Sequence, residues 1–93
     1  MTMAGRRTTY EIYWEILVFC KTPQSFTSII NRCNLNSKTG QEYLDFLSQK
    51  GYLLSVQNGG QHRYHSTRSA TEYIELFTRL YQSLFDTHPG FRL

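Results

Sequence analysis

Cysteine and proline are both scarce in this chain, with two of each among 93 residues. Cys20 and Cys33 lie thirteen residues apart, which matches no C-x-x-C redox or zinc spacing. We therefore expect two buried free thiols. A disulfide between them is the alternative, because intracellular proteins of hyperthermophiles are an exception to the rule that cytosolic thiols stay reduced.

Long apolar runs are also absent. No segment approaches the roughly twenty consecutive apolar residues needed to span a bilayer. The amino-terminal sequence MTMAGRRTT lacks the apolar core of a signal peptide. The expected location is therefore the cytoplasm, or the host cytoplasm for a viral protein, with no membrane partner.

The sequence contains no recognisable catalytic motif. No nucleophile, base and orienting group occur in one motif, and no Gly-rich phosphate loop follows a predicted strand. His62 and His65 are three residues apart on a predicted strand, so they point to opposite faces and cannot readily share a metal ion. We expect neither an enzyme nor a cofactor or metal site, and no small-molecule ligand is evident.

What the chain does have is apolar and basic residues. Hydrophobic residues make up 40% and aromatic residues 15%, enough for one packed globular domain and too many for a disordered chain. The net charge of +3 permits nucleic-acid binding without requiring it. The basic excess lies in the first half of the chain, where Glu11 and Glu15 are outnumbered by Arg6, Arg7, Lys21, Arg32 and Lys38.

The segment from Asn34 to Val56 predicts a helix that leads directly into a strand. Asn36 or Ser37 can cap the helix at its start, and Gly51 can end it in a left-handed conformation. An apolar stripe at helical spacing marks the buried face of a helix at 37–50. The opposite face of its first turns carries short, amide-bearing or charged side chains, namely Ser37, Lys38, Thr39, Gln41 and Glu42.

Two helices precede this segment. The sequence TTYEIYWEILVFC predicts helix one at 9–20, with Trp14 sealing the edge of the core or meeting another subunit. Pro23 ends that helix. A short helix follows at 25–33, and a tight turn at 34–36 joins it to the next helix. A short helix, a tight turn and a second helix form the helix-turn-helix pattern.

A hairpin and a final helix complete the chain. The apolar segment YLLSV, the turn Asn58-Gly59-Gly60 and the segment QHRYHST predict a two-stranded wing at 52–66. A long helix is predicted at 68–86, where His88-Pro89-Gly90 follows as a breaker. Residues 1–7 are expected to form a loose arm.

These elements resemble the small winged-helix DNA-binding proteins of archaea and archaeal viruses. The resemblance covers residues 9–85. The segment CNLNSKTGQEYLDFLSQKGYLLSV looks like the family's "aNL" turn followed by "YLxxLxxKGLL". The segment GGQHRYHSTRSATEYIELF looks like its Gly-containing wing followed by the "Y-x-x-T-x-x-G" start of a final helix. Ala70 stands where that pattern usually has Gly. The resemblance implies an α+β, mainly helical winged helix-turn-helix fold and a transcriptional regulator that binds DNA as a homodimer.

The candidate DNA contacts follow from this arrangement. The exposed face of the predicted recognition helix would read the major groove of double-stranded DNA. Cationic and imidazole side chains elsewhere would contact the backbone or minor groove. This second set is His62, Arg63, Arg32, Arg6 and Arg7. Solvated surfaces are the alternative for both sets, and an architectural chromatin-type binder or a protein-interaction winged helix are the alternative functions.

The final helix carries two apolar rows. The first row is spaced by four, three, four and three residues, as in an a/d seam, and consists of Ala70, Ile74, Phe77, Tyr81 and Leu84. Tyr73, Leu76 and Leu80 form a second row beside them. One row can pack on helix one and the other on a second copy, so we expect a homodimer. The interface residues expected from the a/d spacing are Ile74, Phe77, Tyr81 and Leu84.

Overall fold

The computed structural model describes residues 7–85, apart from the side chains of residues 58 and 85. It contains four helices and a two-stranded antiparallel sheet, in the order of a winged helix-turn-helix domain. The predicted α+β, mainly helical fold is therefore confirmed. The elements are α1 (Thr9–Phe19), α2 (Phe26–Cys33), α3 (Ser37–Gln49), β1 (Leu53–Asn58), β2 (Gln61–Ser66) and α4 (Arg68–Phe85).

Short polar side chains fix the helix-turn-helix unit. The Ser25 side chain accepts a hydrogen bond from the backbone of α2 and so caps its first turn. Asn34 ends α2 in the left-handed conformation, with φ of 58°. Asn36 then caps α3, because its Oδ1 accepts a bond of 2.8 Å from the backbone N–H of Thr39. These local features define where α2 begins and ends and where α3 begins.

Glycines with positive φ shape the wing. Gly51 has φ of 81°, which ends α3 and lets the Tyr52 N–H reach the Leu47 carbonyl at 2.9 Å. Gly59 and Gly60 both have positive φ and form the two-residue turn between β1 and β2. The sharp reversal at each point depends on a conformation that L side chains rarely adopt.

A third extended segment joins the wing and was not predicted from the sequence. Gln24, in the connection between α1 and α2, forms an antiparallel bridge with Tyr64 through backbone bonds of 3.0 and 2.8 Å. The Ser66 hydroxyl also donates to the Leu17 carbonyl at 2.6 Å. The wing is therefore attached to α1 and to the α1–α2 connection, so it is held in a defined orientation relative to the helices.

The core lies where α1, α2 and α3 meet. Ile16, Leu17, Ile29, Leu44 and Leu47 are each at most 1% exposed. No helix in the described part of the chain is long and apolar enough to cross a membrane.

Both cysteines are buried in this core as free thiols, which confirms the expectation from their spacing. Burial raises the pKa of the Cys20 thiol to about 12. Burial also raises the pKa of Cys33, to about 11. Removal from water penalises the thiolate, so both groups remain protonated and inert near neutral pH.

The orientation of α4 places most of the expected dimer-interface residues against other parts of the same chain. Ile74 is 6% exposed and belongs to the protein's own core. Phe77 and Tyr81 pack on the Trp14 ring, with centroids 5.2 and 5.0 Å apart. Three of the four predicted interface residues therefore pack within one chain, and Trp14 takes the first of its two expected positions, at the edge of the core. The row left outside consists of Leu76, Leu80 and Leu84, which are 51%, 54% and 50% exposed.

Candidate nucleic-acid interface

The first turns of α3 present the polar face that the sequence predicted. Ser37, Lys38, Gln41 and Glu42 are exposed, and Thr39 is half-buried. Leu44 and Leu47 on the opposite side are fully buried. The structure thus brings four of the five candidate readers into contact with solvent on one rigid helix, where side chains can be aimed at base edges in a major groove.

Asp45 holds the Gln41 side chain, a feature that sequence reasoning missed. The Gln41 Nε2 donates a hydrogen bond of 2.9 Å to the Asp45 Oδ1. A carboxylate can only accept, so it fixes the amide with nitrogen toward Asp45. The second N–H and the carbonyl oxygen of Gln41 remain free, and these are the groups that bond adenine N7 and N6. The i, i+4 spacing of the two residues on a helix could have signalled this pair.

Gly40 is buried near the start of α3, where α3 contacts α2 and the turn that follows it. A β-carbon at this position would meet Ile30 Cγ1 at 3.7 Å and the Leu35 side chain at 3.9 Å. These are ordinary van der Waals distances. The contact between the two helices therefore rests on the side chains around Gly40 and leaves space for one more methyl group.

The wing places its candidate contacts on two different faces. Arg63 pairs with Val56 in the sheet register, whereas His62 lies on the same face as Tyr64. The His62 ring stacks on Tyr64 at 5.0 Å and shares a hydrogen bond with the Ser55 hydroxyl. Arg63 donates to the Gln61 Oε1 at 2.6 Å. Of the two, Arg63 lies on the face turned away from the core.

His65 lies on the Arg63 face, where it pairs with Leu54 in the register. Its Nε2 is 3.1 Å from the Lys21 carbonyl oxygen. His62 and His65 therefore point to opposite faces of the wing, as the sequence spacing indicated.

The structure places Arg7 in a different setting from the predicted loose arm. Its guanidinium forms an ion pair with Glu15 and donates a bond of 2.7 Å to the carbonyl of Cys33, the last residue of α2. A partly buried cation near two acceptors is stabilised there, so Arg7 is held against the domain. Arg6 lies outside the described residues.

Arg32, another predicted DNA contact, is exposed and lies beside an aromatic ring of α1. Its guanidinium carbon lies 5.7 Å from the centroid of the Phe19 ring on α1. This is a cation–π contact between the end of α2 and the end of α1. This contact could not be predicted from the sequence, because Phe19 and Arg32 belong to different helices.

Comparison with known proteins agrees with this geometry. Residues 6–84 match the family described as winged helix-turn-helix. The match covers most of the chain, including all of the helix-turn-helix unit and the wing. The chain therefore belongs to the winged helix-turn-helix family. No curated protein sequence matches it significantly.

Solved structures give the same fold. Sso10a-2, a DNA-binding protein from Sulfolobus solfataricus, is 28% identical with a TM-score of 0.71, over 84% of this chain and 85% of that one. The transcriptional regulator BldR from the same organism is 16% identical with a TM-score of 0.69, over 85% and 63%. The protein SSV1 F-93 is 14% identical with a TM-score of 0.64, over 86% and 97%. The resemblance to archaeal and viral winged-helix proteins is confirmed.

Proposed function

We propose that this protein is a DNA-binding transcription regulator that acts as a homodimer. In this proposal α3 enters the major groove and reads bases through Lys38 and Gln41, while Arg63 on the wing contacts the backbone or minor groove. The observation that carries the proposal is the held amide of Gln41. Its bond to Asp45 leaves one donor and one acceptor pointed off an exposed helix face, which is the pattern that adenine requires.

Preorganisation favours base reading over a merely solvated face. A free glutamine side chain loses rotamer freedom when it binds a base, and that loss weakens the interaction. The Asp45 contact restricts Gln41 before DNA arrives. The carboxylates of Asp45 and Glu42 would lower the affinity for DNA, because in this binding mode they lie near phosphates and repel them. Affinity therefore rests on the cations Lys38 and Arg63, and sequence preference on Gln41.

The exposed row of α4 supports the dimer. Leu76, Leu80 and Leu84 recur every four residues, so they form one continuous apolar strip. Burying such a side chain contributes about 1.5 to 3 kcal/mol before the costs of association. A second copy offers an identical strip, and a two-fold axis would pair the two strips. The same symmetry would present two α3 helices to one duplex.

The experiment that tests the proposal is a selection of bound sites from random duplexes, followed by binding measurements across a salt series. A sequence-specific dimer is expected to enrich an inverted repeat with half-site centres about 10 bp, or a multiple of it, apart. An architectural binder would enrich no sequence yet show a steep salt dependence. Both kinds of DNA binder would lose affinity as salt rises, since counterion release accompanies every phosphate contact. A protein-interaction domain would show neither enrichment nor measurable binding to duplexes.

A further inference from the structure

A cavity of about 410 Å³ lies between α1 and the end of α2, apart from the polar face of α3. Its size falls within the range of about 300 to 1,000 Å³ that small-molecule sites occupy. The α1 side is apolar and aromatic, and the rim carries charged groups. The lining residues used below are Arg7, Trp14, Glu15, Val18, Phe19 and Arg32.

The apolar wall of the cavity is rigid. Trp14 is tilted against Phe77 with centroids 5.2 Å apart, and its Nε1 donates a bond of 3.0 Å to the Thr78 hydroxyl on α4. The indole is therefore fixed by contacts outside the cavity. Val18 is 38% exposed and Phe19 lies one residue further along α1. Together these side chains form a surface suited to a flat apolar group.

The two arginines at the rim are not equivalent. Arg7 is compensated, since it pairs with the Glu15 carboxylate and bonds the Cys33 carbonyl. Arg32 contacts the Phe19 ring and forms no ion pair with a carboxylate of residues 7–85. The cavity thus holds one positive charge in excess, beside an aromatic wall. A cationic ligand would be repelled, and Glu15 disfavours a ligand with several negative charges.

We propose that this cavity binds a small aromatic carboxylate. The carboxylate would accept two hydrogen bonds from the Arg32 guanidinium, whose planar fork matches that geometry. The aromatic ring would pack on Trp14, Val18 and Phe19. This ligand site lies on a different surface from the proposed DNA contacts, and it does not depend on the proposed DNA binding.

Nuclear magnetic resonance of the protein without DNA tests the site directly. Trp14 is the only tryptophan, so the protein has a single indole N–H resonance, and it reports on the cavity wall. Titration with 2-naphthoate is expected to shift this resonance saturably. The uncharged 2-naphthylmethanol, which keeps the ring, is expected to bind about tenfold more weakly because it lacks the charge-assisted bonds.

Two matched variants complete the test. Arg32→Gln is expected to weaken naphthoate binding about tenfold, and its exposed position allows the fold to be retained. Arg68→Gln removes the same charge at the start of α4, about 15 Å along that helix from Thr78, and is expected to leave binding unchanged. The proposal is overturned if millimolar naphthoate does not shift the indole resonance. Equal binding of the alcohol, or equal weakening by the two variants, would also overturn it.

Discussion

At the scale of single residues, Gln41 is the side chain that we expect to determine the base preference. Gln41→Ala is expected to cost about 1 to 3 kcal/mol at a preferred site and to relax one base position, because the bidentate adenine contact is lost. Fluorescence anisotropy on the selected duplex and its single-base variants measures both effects. Gln49→Ala makes the same change at the far end of α3 and should leave binding unaltered. Equal binding of every duplex by wild type and Gln41→Ala would show that another face is used.

Asp45 is expected to act through Gln41. Asp45→Ala frees the Gln41 amide and so should reduce discrimination at the same base position, although it also removes a repulsive charge. A double-mutant cycle separates the two effects. In the Gln41→Ala background, Asp45→Ala is expected to change only overall affinity. The same loss of discrimination in both backgrounds is the result that contradicts a positioning function.

Gly40 and Gly51 are expected to respond to alanine in opposite directions. Gly40→Ala should stabilise the fold by about 0.5 to 1 kcal/mol, because it restricts the unfolded chain and the new methyl meets Ile30 at an ordinary distance. Gly51→Ala meets no atom within 4 Å but forces a residue to φ of 81°, so it should destabilise by about 1 kcal/mol. Urea unfolding measures both. A destabilised Gly40→Ala would mean that α2 and α3 are packed too tightly for a methyl group.

Residues whose partners are close in sequence were the predictable ones. The predicted cap Asn36 bonds a backbone group within the first turn of α3, so a short window of sequence contains the whole interaction. The positions of Arg7 and Arg32 depend on how α1 crosses α2. That crossing is set by core packing, which no local pattern encodes. The basic residues could therefore be identified from the sequence, but the groups that they contact could not.

At the scale of elements, the wing is expected to supply backbone contacts. Arg63→Ala should weaken binding to all sequences alike and lower the slope of log K against log salt by about one, since one phosphate contact is lost. Anisotropy titrations over a series of salt concentrations measure the slope. Arg79→Ala removes a charge from an exposed position on α4 and serves as the control. An unchanged slope in Arg63→Ala would exclude Arg63 from the interface.

The existence of α4 could be predicted from the sequence, but not which of its apolar side chains pack inward. Its two apolar rows were evident from spacing, and each row by itself fits a seam. Neither row packs as a unit, because Phe77 and Tyr81 pack on the Trp14 ring whereas Leu84 of the same row is 50% exposed beside Leu76 and Leu80. Trp14 lies off the main stripe of α1. Its influence on a helix more than sixty residues later is a tertiary effect that periodicity does not contain.

At the scale of the whole molecule, the buried thiols are expected to lower stability at alkaline pH. In the unfolded chain a cysteine loses its proton near pH 9, whereas folding raises the pKa of Cys20 to about 12 and that of Cys33 to about 11. The native state therefore holds more protons between these values, and stability falls as pH rises through that window. Below pH 9 the effect is absent.

Urea unfolding at pH 8 and pH 10.5 tests this dependence. The double variant Cys20→Ala with Cys33→Ala should be less stable at pH 8, because it leaves voids in the core. It should nevertheless lose less of its stability between the two pH values than the wild type. Tyr73, whose pKa burial also raises to about 12, is present in both proteins and cancels from the comparison. Equal losses would show that the thiols do not contribute.

Dimer formation is the last expectation at this scale, and the packing of α4 determines which substitution can test it. Phe77→Glu would place a charge against Trp14 and damage the monomer itself. Leu80→Glu changes a side chain that is 54% exposed, so it should leave each monomer folded and break only the contact between two leucine strips. Gln82→Glu adds the same charge on another side of α4 and should remain dimeric. Sedimentation equilibrium at micromolar concentration should give twice 11.0 kDa for wild type and Gln82→Glu, and 11.0 kDa for Leu80→Glu. A wild-type protein that sediments as a single 11.0 kDa species would exclude the homodimer.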